Sequence, residues 1–153
     1  MAAEPYATSV HIAAPPEAVF PYLTQADQLV RWMGQHAVLD PEPGGEFAVD
    51  VNGMPVRGRY LELDPPHRVV MSWGIAGSDE LPPGSTTVEV TLRPVDGGTL
   101  LELVHRDLPE RQAERHAIGW GHFVPRLAVA GAGDDPGPDP WAADRSSRDR
   151  GGS

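Results

Sequence analysis

Six histidines, four tryptophans and three tyrosines carry most of the chemistry open to this chain, which contains no cysteine. Without thiols, disulfides, thiolate nucleophiles and cysteine-based zinc sites are excluded. Leu101, Leu103 and His105 alternate along one segment, so all three share a strand face. A histidine ending an apolar stripe can exchange hydrogen bonds with a bound molecule or act as a general acid or base. Tyr60, Trp73 and Trp120 would add single phenol and indole hydrogen-bonding groups to the same interior. The competing reading makes all four ordinary core residues with satisfied partners.

Other chemistries find less support in the spacing. His116 and His122 are six residues apart, roughly 240° around a helix, so they cannot share a metal ion as an i, i+4 pair would. His11 falls on the outward parity of its segment, and no metal or cofactor is expected. There is no G-x-S-x-G elbow, and Ser72 has the parity opposite to Met71 and Trp73. Gly131-Ala132-Gly133 runs into Asp134-Asp135, which would repel a phosphate. Asp50, Glu62, Glu89 and Glu102 take outward strand positions, which suits a solvated face better than paired carboxylates for acid–base work. Arg57 and Arg59 share a face and could clamp an anion, although pairing with Asp50 or Glu62 is the simpler expectation.

The elements that would position these groups follow from periodicity. Tyr6, Thr8, Val10 and Ile12 alternate as in a first strand. Pro15-Pro16-Glu17 opens a short helix, and Thr24-Gln25-Ala26-Asp27 resembles a capping box before a second one that Gly34 would end. Residues 36–107 read as strands broken by turn residues, with Asn52-Gly53 a strong hairpin signal. Gly77 to Gly84 is expected to be a mobile loop. Leu108-Pro109-Glu110 introduces a final helix with Ala113, Ala117, Trp120, Val124 and Leu127 on one stripe. Pro125 cannot donate to Gly121 and is expected to kink that helix or end its regular part early.

The 153 residues suit one hydrophobic core, and the formal net charge of -10 with no basic run argues against nucleic acid and anionic membranes as partners. No leader or membrane-spanning stretch is legible, so a cytoplasmic protein is expected. Residues 132–153, rich in Gly, Pro and Asp, are expected to be a disordered tail behind a domain of residues 1–131.

Several segments together resemble a known family: VHIAAPPEAVFPYLT (10–24), DQLVRWMG (27–34), GGEFAVDVNGMPVRGRYLELDPPHRVVMSW (44–73), TTVEVTLRPVDGGTLLELVHRDLP (86–109) and ERHAIGWGHFVPRL (114–127). The chain resembles the activator-of-heat-shock-protein-90-ATPase-like branch of the START/Bet v 1-like (SRPBCC) superfamily, close to the polyketide cyclases. The resemblance implies an α+β helix-grip fold. In it a curved antiparallel sheet of about six to seven strands wraps a long C-terminal helix, with two short helices after the first strand. It also implies a cavity for a small hydrophobic or aromatic molecule. The parity of the strands and the stripe of the last helix would line that cavity with Trp32, Met33, Phe47, Val49, Val51, Tyr60, Met71, Trp73, Val88, Leu103, His105, Trp120, Phe123 and Val124. Binding of such a ligand is the leading expectation. The alternatives are a cyclase- or hydratase-like enzyme with His105 as its acid–base residue, and a co-chaperone-like interaction module. An open sheet edge would also allow a homodimer.

Overall fold

The computed structural model describes residues 4–142. Seven strands, β1 (Tyr6–Ile12), β2 (His36–Leu39), β3 (Glu46–Val51), β4 (Met54–Asp64), β5 (Arg68–Ile75), β6 (Thr86–Val95) and β7 (Gly98–Arg106), form one sheet in the order β1-β7-β6-β5-β4-β3-β2. Every neighbouring pair is antiparallel. Strands β2 to β7 form a meander of hairpins, and β1 closes it by pairing Tyr6 with His105 and Ile12 with Thr99. The helix α4 (Glu110–Gly131) buries Trp120, Phe123, Val124, Leu127 and Ala130 within the core formed with the sheet. This is the helix-grip arrangement. No helix among the described residues is long and apolar enough to cross a membrane.

Local chemistry accounts for the turns. Asn52 and Gly53 both have positive φ, at 52° and 90°, and join Val51 to Met54 as a two-residue hairpin loop requires. The inward positions Phe47, Val49, Val51, Met71, Trp73, Val88, Val90, Leu101, Leu103 and His105 are all buried, as alternation predicts. The outward carboxylates meet arginines: Arg57 contacts Asp50 at 3.0 Å, Arg93 contacts Glu102 at 2.6 Å, and Glu89 bridges Arg68 and Arg106. Glu62 also pairs with Arg68. In β4, Gly58 allows a close approach, because a Cβ there would stand 1.9 Å from the Ser72 carbonyl oxygen. Gly58→Ala is therefore expected to lower stability by about 1–3 kcal/mol in urea denaturation, with the fold retained.

Several local expectations are corrected. The segment after β1 forms three one-turn helices, α1 (Pro16–Val19), α2 (Pro21–Thr24) and α3 (Ala26–Leu29), rather than two. Pro21 has no N–H to continue the first ladder, so the chain breaks at Phe20. The Thr24 hydroxyl turns back to the Phe20 carbonyl, and Gln25 caps α3 without a side-chain bond. Trp32 and Met33 consequently lie in the turn beyond α3. The segment from Gly77 to Gly84 is held in place: Leu81 is fully buried, the Ile75 N–H donates to its carbonyl at 2.7 Å, and the Ser78 hydroxyl accepts its N–H.

Pro125 does not end α4, which continues to Gly131. The last turns are fastened from outside the helix. Leu127 and Ala130 are buried, and the Arg126 guanidinium donates to the carbonyls of Trp32, Pro136 and Gly137. Residues 132–142, expected to lack structure, fold back on α4. Trp141 stacks on the His122 ring at 3.7 Å, and Asp139 contacts His122 Nε2 at 2.8 Å. Two contacts the composition hid, an aromatic stack and a histidine–carboxylate hydrogen bond, anchor this stretch. Burial opposes ionisation of the Asp139 carboxyl. The Trp141 backbone N–H and the His122 and Asn52 side chains outweigh that effect and hold its pKa below the ordinary range. The rest of the expected tail, residues 143–153, lies outside the described residues.

Candidate ligand-binding site

The interior is organised around His105, which is fully buried on β7. The Trp120 indole N–H from α4 donates to His105 Nδ1 at 3.0 Å. An indole can only donate, so Nδ1 must be unprotonated and the proton of the neutral ring lies on Nε2. That N–H faces the Thr86 hydroxyl at 2.8 Å, and the hydroxyl in turn donates to the Trp73 carbonyl at 2.7 Å. One chain of hydrogen bonds thus ties α4 to β7, β6 and β5. Burial, with a further contribution from nearby His116, pushes the His105 pKa down to about 3. The ring is neutral at physiological pH, with both nitrogens engaged.

A cavity of about 290 Å³ opens between the N-terminal half of α4 and strands β3 to β5. Val51, Met54, Val56, Trp73 and Ile75 form its sheet side, with Met33 and Ser78 at its margin. Gln112, His116, Gly119 and Phe123 line it from α4 at spacings of four, three and four, one continuous helical stripe, joined by Arg115 and Trp120. The volume falls near the lower end of the roughly 300–1,000 Å³ usual for small-molecule sites. A deeper void of about 20 Å³ lies behind it, walled by Leu23, Trp32, Phe47, Met71, Val88, Leu103 and Leu127 among others. Trp73 and Trp120, with ring centroids 5.2 Å apart, stand in the walls of both spaces. Only His116 and Arg115 on the lining of the larger cavity are ionisable. His116 Nδ1 contacts the Gln112 carbonyl at 3.0 Å and so carries the ring proton, and burial lowers the pKa of this histidine.

The expected site residues divide into three groups. Met33, Val51, Trp73, Trp120 and Phe123 line the larger cavity. Trp32, Phe47, Met71, Val88 and Leu103 line the deep void. Val49, Tyr60, His105 and Val124 face neither space. Val49 supports Gly34, where a Cβ would come within 2.6 Å of the valine methyl. The Tyr60 hydroxyl donates to the Leu23 carbonyl at 2.9 Å, and burial followed by the Asp40 charge raises its pKa. His105, the candidate catalytic residue, braces the wall instead, because the protein itself uses both of its nitrogens. Sequence reasoning missed Met54, Val56, Ile75, Ser78, Gln112, Arg115, His116 and Gly119. On α4 the signal was there as a second stripe, 112-116-119-123, beside the apolar one, but its polar residues and glycine disguised it.

A groove of about 800 Å³ on the outer face of the sheet carries Arg57, Arg59, Ser72 and Thr87. Arg57 is occupied by Asp50, and Arg59 donates to the Gly44 carbonyl at 3.2 Å, so neither arginine stands free as an anion clamp.

Comparison with known proteins agrees with this architecture. Residues 13–131 match the family described as "Activator of Hsp90 ATPase homolog 1-like protein". The solution structure of an AHSA1-like protein from Rhizobium etli is 44% identical, with a TM-score of 0.70 over 89% of this chain and 86% of that one. CalU16 from Micromonospora echinospora is 27% identical, with a TM-score of 0.70 over 94% of this chain and 82% of that one. An HSP90 activator from Plasmodium falciparum is 26% identical, with a TM-score of 0.68 over 82% and 94% respectively. No curated protein matches the chain. With a family match across the sheet and the long helix, and a solved relative of high identity, the chain belongs to the activator of Hsp90 ATPase homolog 1-like family of the SRPBCC superfamily.

Proposed function

We propose that this protein binds a small hydrophobic ligand in the cavity between α4 and strands β3 to β5. The observation that carries the proposal is the 290 Å³ cavity itself, bounded mainly by aliphatic and aromatic side chains. A well-packed interior leaves few voids larger than a water molecule, so a space of this size is either maintained for an occupant or lost stability. Its acidic, cysteine-free composition suits work in the cytoplasm.

The lining favours binding over acid–base catalysis. It contains no carboxylate, and its one histidine is held neutral with Nδ1–H turned to a backbone carbonyl. Stimulation of a chaperone ATPase is the competing reading, supported by the description of the family and by the Plasmodium relative. Native mass spectrometry with naphthalene, fluorene and fluorenone should show one bound molecule per chain. Saturation at a hundred times Kd should raise stability by about 2.7 kcal/mol. Absence of any bound species and of any rise in Tm, with ATPase stimulation of purified Hsp90 observed instead, would transfer the function to the outer surface.

A further inference from the structure

We infer that the cavity takes an amphipathic monoanion, its aromatic or aliphatic body in the apolar space and its carboxylate held at the rim by the Arg115 guanidinium. The inference rests on the ligand-binding reading and names the chemistry of the occupant.

The lining is polarised along α4. Gln112, Arg115 and His116, from its first two turns, are polar, whereas Trp120 and Phe123 farther along are aromatic. At a rise of 1.5 Å per residue, Gln112 and Phe123 lie roughly 16 Å apart along the helix axis. An occupant that follows the helix therefore meets polar groups at one end and hydrocarbon at the other. Arg115 is exposed and yet part of the lining. That combination suits an arginine whose methylene stem lies on the apolar wall while its guanidinium stays in water at the opening.

Arg115 carries the one permanent charge on the lining, and no carboxylate stands there to neutralise it. Elsewhere the arginines are engaged: Arg57, Arg68, Arg93 and Arg106 each meet a carboxylate, and Arg59 and Arg126 donate to backbone carbonyls. Arg115 makes no such contact among the described residues. Its planar fork of N–H donors matches a carboxylate in two parallel hydrogen bonds, and a single guanidinium balances a single negative charge. Beside an apolar wall that attraction exceeds the one between two fully solvated ions.

The charges opposing an anion act from farther away. Glu110, Glu114, Asp79 and Glu80, the acids nearest in sequence to the lining, are exposed and none of them lines the cavity. The net charge of -10 repels anions at long range, but salt screens that field over about 8 Å at physiological ionic strength. His116, kept neutral by burial, adds no charge of either sign.

The pair 2-naphthoate and 2-naphthamide tests this, because both carry one ring system and a planar head group and they differ in charge. In isothermal titration at low ionic strength, naphthoate is expected to bind about tenfold more tightly than the amide. Added sodium chloride should reduce the preference. Arg115→Gln should shrink it to within about twofold, with the affinity for naphthamide and the Tm unchanged because the side chain is exposed. Arg111→Gln removes the same charge from an exposed position off the lining and should keep the preference. Equal or weaker binding of naphthoate, a preference that survives Arg115→Gln, or one lost equally in Arg111→Gln overturns the inference while leaving ligand binding intact. Failure of both probes and of naphthalene to bind overturns the ligand-binding reading and this inference together.

Discussion

His105→Ala is expected to lower the free energy of unfolding by about 4 kcal/mol. Truncating a fully buried large side chain costs about 2–5 kcal/mol. Here it also leaves the Trp120 indole without an acceptor, adding about 1–3 kcal/mol of uncompensated desolvation. The same residue gives stability a defined pH dependence. Its pKa in the folded protein is about 3, against about 6.5 in the unfolded chain. Between those values the unfolded chain binds a proton that the folded protein refuses. The contribution is therefore complete above about pH 6.5 and is lost as pH falls toward 3, at about 1.4 kcal/mol per pH unit. His116, also depressed by burial, acts in the same direction. Urea denaturation of the wild type and His105→Gln between pH 4.5 and 7.5 separates this histidine from the carboxylates. The difference in stability between the two proteins should narrow as the solution is acidified. A difference independent of pH would show that the ring is not held neutral by the fold.

Gly119→Leu should abolish binding of small aromatic probes while leaving the protein as stable as before or more so. Gly119 lines the cavity, and a Cβ built there meets nothing within 4 Å. Leucine is the better helix former by roughly 0.5–1 kcal/mol, and its side chain would occupy space now open to a ligand. Gly121→Ala, exposed on the same helix and equally unobstructed, supplies the control. It should gain similar helix stability and retain binding. Unchanged affinity in Gly119→Leu, measured by isothermal titration, would place the ligand elsewhere. Since α4 carries both residues, the pair separates loss of cavity from any general change in the helix.

Much of this architecture was legible from alternation alone. Phe47, Val49 and Val51 on β3, or Leu101, Leu103 and His105 on β7, could be assigned to the interior because a strand has a strict period of two. Parity says which face a residue takes but not how completely that face is filled. Val49 and Val51 have the same parity; one is packed under Gly34 and the other borders open space. Cavity membership depends on side-chain volumes from three or four elements at once, and no local pattern carries that. The role of His105 was hidden for a related reason. Thr86 and Trp120, which use up its nitrogens, are 19 and 15 residues away in the chain and meet it only after the sheet and helix have docked. At Pro125 a local penalty of about 3 kcal/mol pointed to helix termination. Distant contacts through Leu127, Ala130 and Arg126 outweighed it.

The pairing of β1 with β7 sets the order in which a nascent chain can mature. Tyr6 is synthesised well before its partner His105, which follows about ninety-nine positions later. The hairpins from β2 to β7 can zip up locally as they emerge, whereas β1 must wait for the far margin of the sheet to exist. During that delay β1 presents a bare ladder of backbone donors and acceptors. Translation speed and holdase chaperones thus have one defined interval in which to protect this protein from aggregation, and it closes when β1 pairs with β7.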